Sequence, residues 1–353
     1  MLWKSLSHSY TVMKMIRNNW TKEKKRKITI LSFAVVAVLL VGIFFLSINL
    51  GSLKIGFGQM LRGLFVEYDK DVATVYDLRF PRVIIAMFAG AALAVSGVLF
   101  QAVMKNPLAD PGIIGVCSGA GFVATIITAL LPQYLFFTPI AAFIGGCAAF
   151  FLVYTLSWKG GLNPLRMILV GVAVNAVFTG LTSAMGTSIA SGDMSQAASV
   201  VSGMISMKTW DDVKILVGYT VVGLILSLFT VRACNLMALQ DSTAGSLGVN
   251  VNRNRMIASA VAVLLASIAT AVVGTIGFLA LIVPHMGRHF VGSDHKKLIP
   301  FSMLFGALVL LIADTLGRTI AAPYEISPGI IMNVLGGPFF ILLLRRGGRT
   351  YGD

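Results

Sequence analysis

The sequence is poor in charge and nearly empty of catalytic side chains. Of 353 residues only 12% are charged, with 14 acids and 4 histidines. A water-soluble globular protein needs about twice that share of charge, so a soluble domain is excluded. Cysteine is scarce as well. Cys117, Cys147 and Cys234 lie at or inside apolar segments without metal-ligand spacing, which reads as small packing residues rather than a disulfide frame or a zinc site. No G-x-x-x-x-G-K-[ST] string occurs, so this chain has no phosphate-cradling loop with which to hydrolyse ATP. His285 and His289 stand four apart, but Met286-Gly287-Arg288 lies between them and no third ligand is in view, so they do not form a metalloprotease motif. No Gly-X-Y, heptad or solenoid repeat is present, and no low-complexity linker marks a second domain.

What is abundant is apolar: 57% of residues are hydrophobic and the mean hydropathy is +0.86. A surface of that composition is solvated by lipid, and a bilayer core of about 30 Å takes about 20 apolar residues per helix. Apolar runs fall at about 28–50, 81–104, 112–131, 136–158, 166–190, 212–233, 256–284, 298–320 and 328–344. The run 256–284 is longer than one span needs and is interrupted by Gly274 and Gly277, so it divides near Gly274. Ten spans result, one of them short or broken, which is tolerable where it is buried in protein or lines a cavity. The expected organisation is a basic tail over 1–27, a transmembrane domain over 28–346 and a short tail over 347–353.

The net charge of +14 collects at span ends rather than in a nucleic-acid-binding patch. Between Lys4 and Lys27 stand six Lys and two Arg against the single Glu23, ahead of an uncleaved first helix. With the amino terminus in the cytoplasm, ten spans also place Arg166, Asn252–Arg255, His285–Lys297 and Arg345–Arg349 inside. The acidic-mixed loop around Glu67–Asp77, the Ser191–Gln196 stretch and the Tyr324–Glu325 turn then lie outside. Charge within spans is nearly absent. Asp314 is the exception, and Arg318 four residues on is its expected intrahelical partner. Three function classes stay open at this stage: a permease driven by a separate ATPase, an ion-coupled secondary transporter, and a membrane enzyme. The scarcity of intramembrane acids weighs against the second, and the lack of converging polar groups weighs against the third.

Several strings are long enough to carry a resemblance. Leu78-Arg-Phe-Pro-Arg82, Gly90-Ala-Ala-Leu-Ala, Asn106-Pro-Leu-Ala-Asp-Pro-Gly112, Leu247-Gly248-Val249, Ile276-Gly-Phe-Leu-Ala-Leu-Ile-Val-Pro-His285 and Gly336-Gly-Pro-Phe-Phe340 resemble the permeases of iron-siderophore, haem and vitamin B12 importers. The resemblance implies an all-α integral membrane protein with the type II ABC importer permease fold. It also implies a cargo moved into the cytoplasm by alternating access: a ferric siderophore, with haem or cobalamin as the alternative. The implied partners are a second permease subunit, two ATPase subunits and an extracytoplasmic substrate-binding protein in a bacterial cytoplasmic membrane. No cofactor would be bound by this chain, ATP and Mg being used by the ATPase.

Site residues follow from the same resemblance. The prolines of Asn106-Pro107 and Asp110-Pro111-Gly112 force the chain out of helix at an inner mouth. There Asn106 and Leu108, with Pro164, Leu165, Gly171 and Asn175 of the fifth span, would form the pathway and inner gate. The polar segment Gln240–Arg255 resembles the coupling helices that enter an ATPase groove, with Gln240, Asp241, Gly245, Leu247, Gly248 and Val249 as contacts. At the outer ends of spans two and nine, Arg79, Arg82 and Arg318 match basic residues that meet acidic side chains of the binding protein.

Overall fold

The computed structural model describes residues 2–50, 56, 58–59, 62, 69–157, 164–188, 204–248, 250–322 and 324–347. Helices in chain order are α1 (Leu2–Asn49), α2 (Lys70–Leu78), α3 (Phe80–Val103), α4 (Val116–Leu130), α5 (Thr138–Ser157), α6 (Pro164–Ser188) and α7 (Trp210–Phe229), then α8 (Val231–Met237), α9 (Asp241–Ser246), α10 (Val251–Val273), α11 (Leu279–Val291), α12 (His295–Ile320) and α13 (Pro328–Gly347). A 3-10 turn over Pro132–Phe137 joins α4 to α5. No strand occurs among the described residues.

Seven of these helices are long and apolar enough to cross a membrane, and α4 and α13 are shorter apolar helices. The division expected near Gly274 is present. Helix α10 stops where Gly274 takes φ +76°, a short extended segment follows, and α11 begins after Phe278 at φ +62°. Lipid offers no partner for free backbone groups, so this break is possible only because it lies inside the bundle.

Two elements differ from the sequence reading. The basic tail runs on into the first span as a single helix of 48 residues. The segment before span two, expected as an outer loop, is helical over Lys70–Leu78, because the Asp69 carboxylate accepts from the amides of Asp71 and Val72 and caps it.

Helix α3 is the axis of the bundle, packed against α7, α10, α11 and α12. Small residues set how close these neighbours come. A Cβ on Gly90 would lie 2.8 Å from Leu310 Cβ and overlap the Gly306 carbonyl; one on Gly97 would lie 2.7 Å from the Ala280 carbonyl carbon. Around Gly180 and Gly218 a Cβ meets nothing within 4 Å. Overpacking a close contact costs about 1–3 kcal/mol or more. We therefore expect Gly97→Val to lower the melting temperature of the detergent-purified protein by several degrees or to abolish its monodisperse peak, whereas Gly218→Ala leaves both unchanged. Equal behaviour of the two variants would contradict this packing.

Candidate translocation cavity and its anchoring charges

Where α10 breaks, the bundle holds a cavity of 310 Å³. Its walls come from the turn before α4 (Asp110, Gly112, Ile113), the start of α4 (Cys117, Ser118), α6 (Val172, Asn175, Thr179), the break itself (Thr275–Phe278) and Asn333 of α13. The turn is shaped by two side chains that bind their own backbone. Asn106 Oδ1 accepts from the Leu108 amide at 2.9 Å, and Asp110 Oδ1 accepts from the amides of Gly112 and Ile113 at 2.7 and 3.2 Å. Asp110 Oδ2 is buried without a hydrogen-bond partner. Burial pushes this carboxyl up to about 6 against the pull of the two amides.

Of the expected pathway residues, Asn175 lines the cavity. Gly171 lets α6 abut the turn, since a Cβ there would lie 2.7 Å from the Ile113 carbonyl oxygen. Asn106 and Leu108 sit half-buried in the same turn, beside the cavity rather than in its lining. Pro164 and Leu165 open α6, and their side chains lie outside the described set.

The amino-terminal end of α3 and the carboxyl-terminal end of α12 are joined by a buried ion cluster. Arg82 donates from Nε and Nη2 to Asp314 at 2.9–3.1 Å, and from Nη1 to both oxygens of Glu325 at 2.9 and 3.0 Å. Ser206 Oγ donates to Glu325 as well. Burial pushes the Glu325 carboxyl up, but the Ser206 hydroxyl and the Arg82 guanidinium outweigh it and hold the group below its ordinary range. The Arg318 partner expected for Asp314 is present at 3.5 Å, but Arg82 makes the shorter contact.

Two further arginines close the carboxyl end of α1. Arg318 Nη2 donates to the Ser47 carbonyl at 2.8 Å and to its hydroxyl, and Arg79 Nη1 donates to the Ile48 carbonyl at 2.6 Å. Guanidinium groups there satisfy carbonyls the helix leaves free and oppose its negative end. So the three arginines assigned from sequence to an outward docking role all carry internal contacts, and Arg82 is 7% exposed.

Just past the opposite end of α3, Lys105 Nζ donates to Asp241 Oδ1 at 2.8 Å and to the Leu239 carbonyl at 2.5 Å, while Arg255 Nη2 reaches the same Asp241 oxygen at 3.1 Å. Lys105, then Arg255, hold the Asp241 carboxyl below its usual range. Helix α9 is thereby tied to the turn that follows α3 and to α10, while Gly245, Leu247 and Gly248 remain exposed at its far end. Gln240 is exposed where α9 begins, and Val249 lies outside the described residues. Nearby, Arg288 donates to Gln101 Oε1 at 2.6 Å, joining α11 to α3.

Comparison with known proteins decides what this arrangement is. The FecCD transport family profile matches residues 38–346. The probable heme-iron transport system permease protein IsdF of Staphylococcus aureus (strain MSSA476) is 38% identical over 329 residues, 93% of this chain and 98% of the relative. The chain belongs to the FecCD transport family.

A solved inward-facing structure, described as a metal-chelate type ABC transporter, superposes on this FecCD-family chain with a TM-score of 0.74 at 26% identity, covering 89% of this chain and 98% of the other. PsaBC from Streptococcus pneumoniae, at 17% identity and a TM-score of 0.55, shares the fold. The chain is thus a transport permease with the type II ABC importer architecture, not an enzyme. In the FecCD-family sequence, Asp110, Ser118, Thr179, Thr275 and Asn333 carried no site assignment. Asp110 was marked only as part of the Asn106–Gly112 string, and polarity in or beside an apolar span was the signal at the other positions. The Arg82–Asp314 pair had none, because 232 positions separate its members.

Removing one partner of a buried pair strands the other, at about 3–5 kcal/mol, whereas replacing both is far milder. Arg82→Met is therefore expected to lose most of the folded permease in a thermal-shift assay, and Arg82→Met with Asp314→Leu to recover much of it. A double variant no better than the single would show that the pair is not the buried unit described.

Proposed function

We propose that this chain is the membrane subunit of an ATP-driven, binding-protein-dependent importer that moves a ferric siderophore into a bacterial cytoplasm by alternating access. The observation that carries the reading is α9: bonded to the turn after α3 and to α10 through one carboxylate, it leaves its glycine-rich end uncovered. Such an element passes motion of an attached ATPase to the spans as a rigid body. Two ATPases, a second permease subunit and an extracytoplasmic binding protein complete the assembly. The exposed apolar face of α6, with Leu169 and Val177 about three-fifths accessible, suits lipid and the second subunit. Docking of the binding protein falls on the outer surface around Arg79, Arg82 and Arg318. The cluster acts there through its field on acidic groups of the partner, its guanidiniums being held internally. A second reading, haem as cargo, is favoured by the naming of the 38% identical relative as a heme-iron permease.

The cargo is tested by growth of a deletion strain under iron limitation. Rescue through this permease by ferric siderophores supports the first reading, and rescue by haem alone replaces it with the second. Coupling is tested at Gly245 rather than Gly248, since Gly248 has φ +75° and any side chain there is strained, while a Cβ on Gly245 meets nothing within 4 Å. Gly245→Trp is expected to leave folding and insertion intact while uptake per ATP hydrolysed falls at least about tenfold, because a ring does not fit a close-packed groove. Normal uptake at normal expression removes α9 from the mechanism. For orientation, Ser293 lies exposed between α11 and α12. With both termini inside, as the clustering of basic residues directs, a cysteine at 293 resists an impermeant thiol reagent in intact cells and reacts after permeabilisation. Labelling of intact cells reverses the topology.

A further inference from the structure

The ion pairs that tie α9 down, from Asp241 to Lys105 and Arg255, are partly open to water at every member. Such pairs are weak and screened by salt. Helix α8, joined to α9 through Ala238–Gln240, is seated more firmly. Its Cys234 and Met237 are fully buried, and it packs against α3, α10 and α12. A displacement of α9 therefore reaches the spans through α8 more securely than through Asp241.

One side chain bonds α8 to α12. Asn235 Oδ1 accepts from the His295 amide at 2.9 Å and stands 2.7 Å from the His295 ring Nδ1, while Asn235 Nδ2 donates to Asp294 Oδ1 at 2.8 Å. A carboxylate only accepts, so Asp294 fixes which way the Asn235 amide faces. An amide oxygen only accepts as well, so the His295 ring carries its proton on Nδ1. The His295 amide is one of the donors that a helix start leaves free, and here α12 borrows its cap from another helix. The same Asp294 oxygen caps the Lys296 amide at 3.0 Å. His295 is buried and its Nε2 has no partner, so without Asn235 the ring would lie in the protein with no hydrogen bond at all. Aspartate at 235 would lack the donor and set two carboxylates face to face.

From this joint α12 continues as one helix to Asp314, about 28 Å on at 1.5 Å per residue, where Arg82 grips it. We propose that Asn235 is a positioning residue for energy coupling. It makes α8 and α12 one body, so that a displacement imposed on α9 by an ATPase moves α12 along its length instead of being lost between the two helices. The proposal rests on the permease reading above and deepens it by naming the joint through which an ATPase acts.

The test uses the assembled importer, with its ATPase and binding protein, in proteoliposomes. Uptake per ATP hydrolysed is measured for iron-labelled ferric trihydroxamate and iron-labelled haem, offered separately. Asn235→Ala removes all three bonds and should lower that ratio about fivefold or more while hydrolysis continues. Asn235→Asp keeps the acceptor for His295 but sets a second carboxylate against Asp294, and should lower the ratio as well. Adding Asp294→Asn to Asn235→Asp restores the bond between the helices with donor and acceptor exchanged, at the expense of the cap on the Lys296 amide, and should recover most of the lost coupling. A joint that serves folding alone would lower the yield or the melting temperature and leave the ratio of the importer that does assemble at its wild-type value. That result overturns the proposal, and so does a double variant as uncoupled as Asn235→Asp. Failure of all three variants to assemble assigns the joint to folding and overturns it too. Each of these outcomes leaves the permease reading intact, whereas wild-type importer that hydrolyses ATP but takes up neither chelate overturns that reading itself.

Discussion

Backbone contact along α3 is the constraint on which the remaining structure depends. In lipid there is no hydrophobic gain from pressing one apolar helix against another, so close fit has to supply the cohesion. Gly90 meets Gly306 and Gly97 meets Ala280 at distances no side chain would permit. The span containing α3 is consequently the most enclosed of the seven long membrane helices among the described residues, with 83% of its most apolar stretch buried. Its polar anchors then matter at both ends. Arg82 fixes it to α12 on one side, while Gln101 and Lys105 fix it to α11 and α9 on the other. The helical stretch from Arg82 to Val103, which ends just before Lys105, is about 32 Å long at 1.5 Å per residue. One rigid rod therefore joins the outer ion cluster to the element proposed to meet the ATPase.

The charges at the outer end specify arrangement more than they add stability. A buried guanidinium and carboxylate roughly repay their own desolvation, so a hydrophobic pair of the same shape would hold α3 to α12 about as well. What the pair fixes is which residue of α3 faces which residue of α12. Glu325 extends the same constraint to the turn before α13, and Ser206 to the segment leading into α7. Helix α1 is the opposite case. Only 11% of its most apolar stretch is buried, so side-chain packing holds it weakly, and the caps from Arg79 and Arg318 pin its carboxyl end to the bundle.

Local physics left clear marks in the sequence, and long-range pairing left few. The ten spans and the break near Gly274 follow from hydropathy, segment length and the positive-inside rule, all of which act over neighbouring residues. The Pro-rich turn between α3 and α4 was equally legible, because Pro107, Pro111 and Gly112 stand close together there, whereas the single prolines Pro284, Pro300 and Pro338 are carried inside helices. Asp314 shows where such reading stops. A four-residue spacing pointed to Arg318, and that contact exists at 3.5 Å, yet the bidentate partner comes from a helix far away in sequence. The arginines near the outer face show the same limit. Their position was readable, but that Arg79 and Arg318 point at the end of α1 was not, since nothing local announces which helix end lies beside them. The cavity fared likewise: Asn175 was assigned to the pathway, whereas Asn333 joins it only because α13 folds back against the break.

The break itself explains why a cavity exists at this place. Helix α11 has 13 residues, or about 20 Å of rise, too little to cross a hydrocarbon core of about 30 Å. The missing length is supplied by the non-helical Gly274–Phe278 segment, whose backbone is sheltered by the surrounding helices. Phe278 holds a left-handed backbone that a bulky residue seldom adopts, and Gly336 of α13 leaves the room its side chain needs. This wall of the cavity is bonded into the core through α10 and α11. The facing wall belongs to α6, of whose most apolar stretch only 22% is buried, while α13 packs against the break itself. The core is closely packed on one side and α6 is lightly buried on the other, so the cavity has one firmly and one loosely held boundary. The glycine contacts that hold α3 involve α11 and α12 and none of them involves α6, so the two boundaries are held independently.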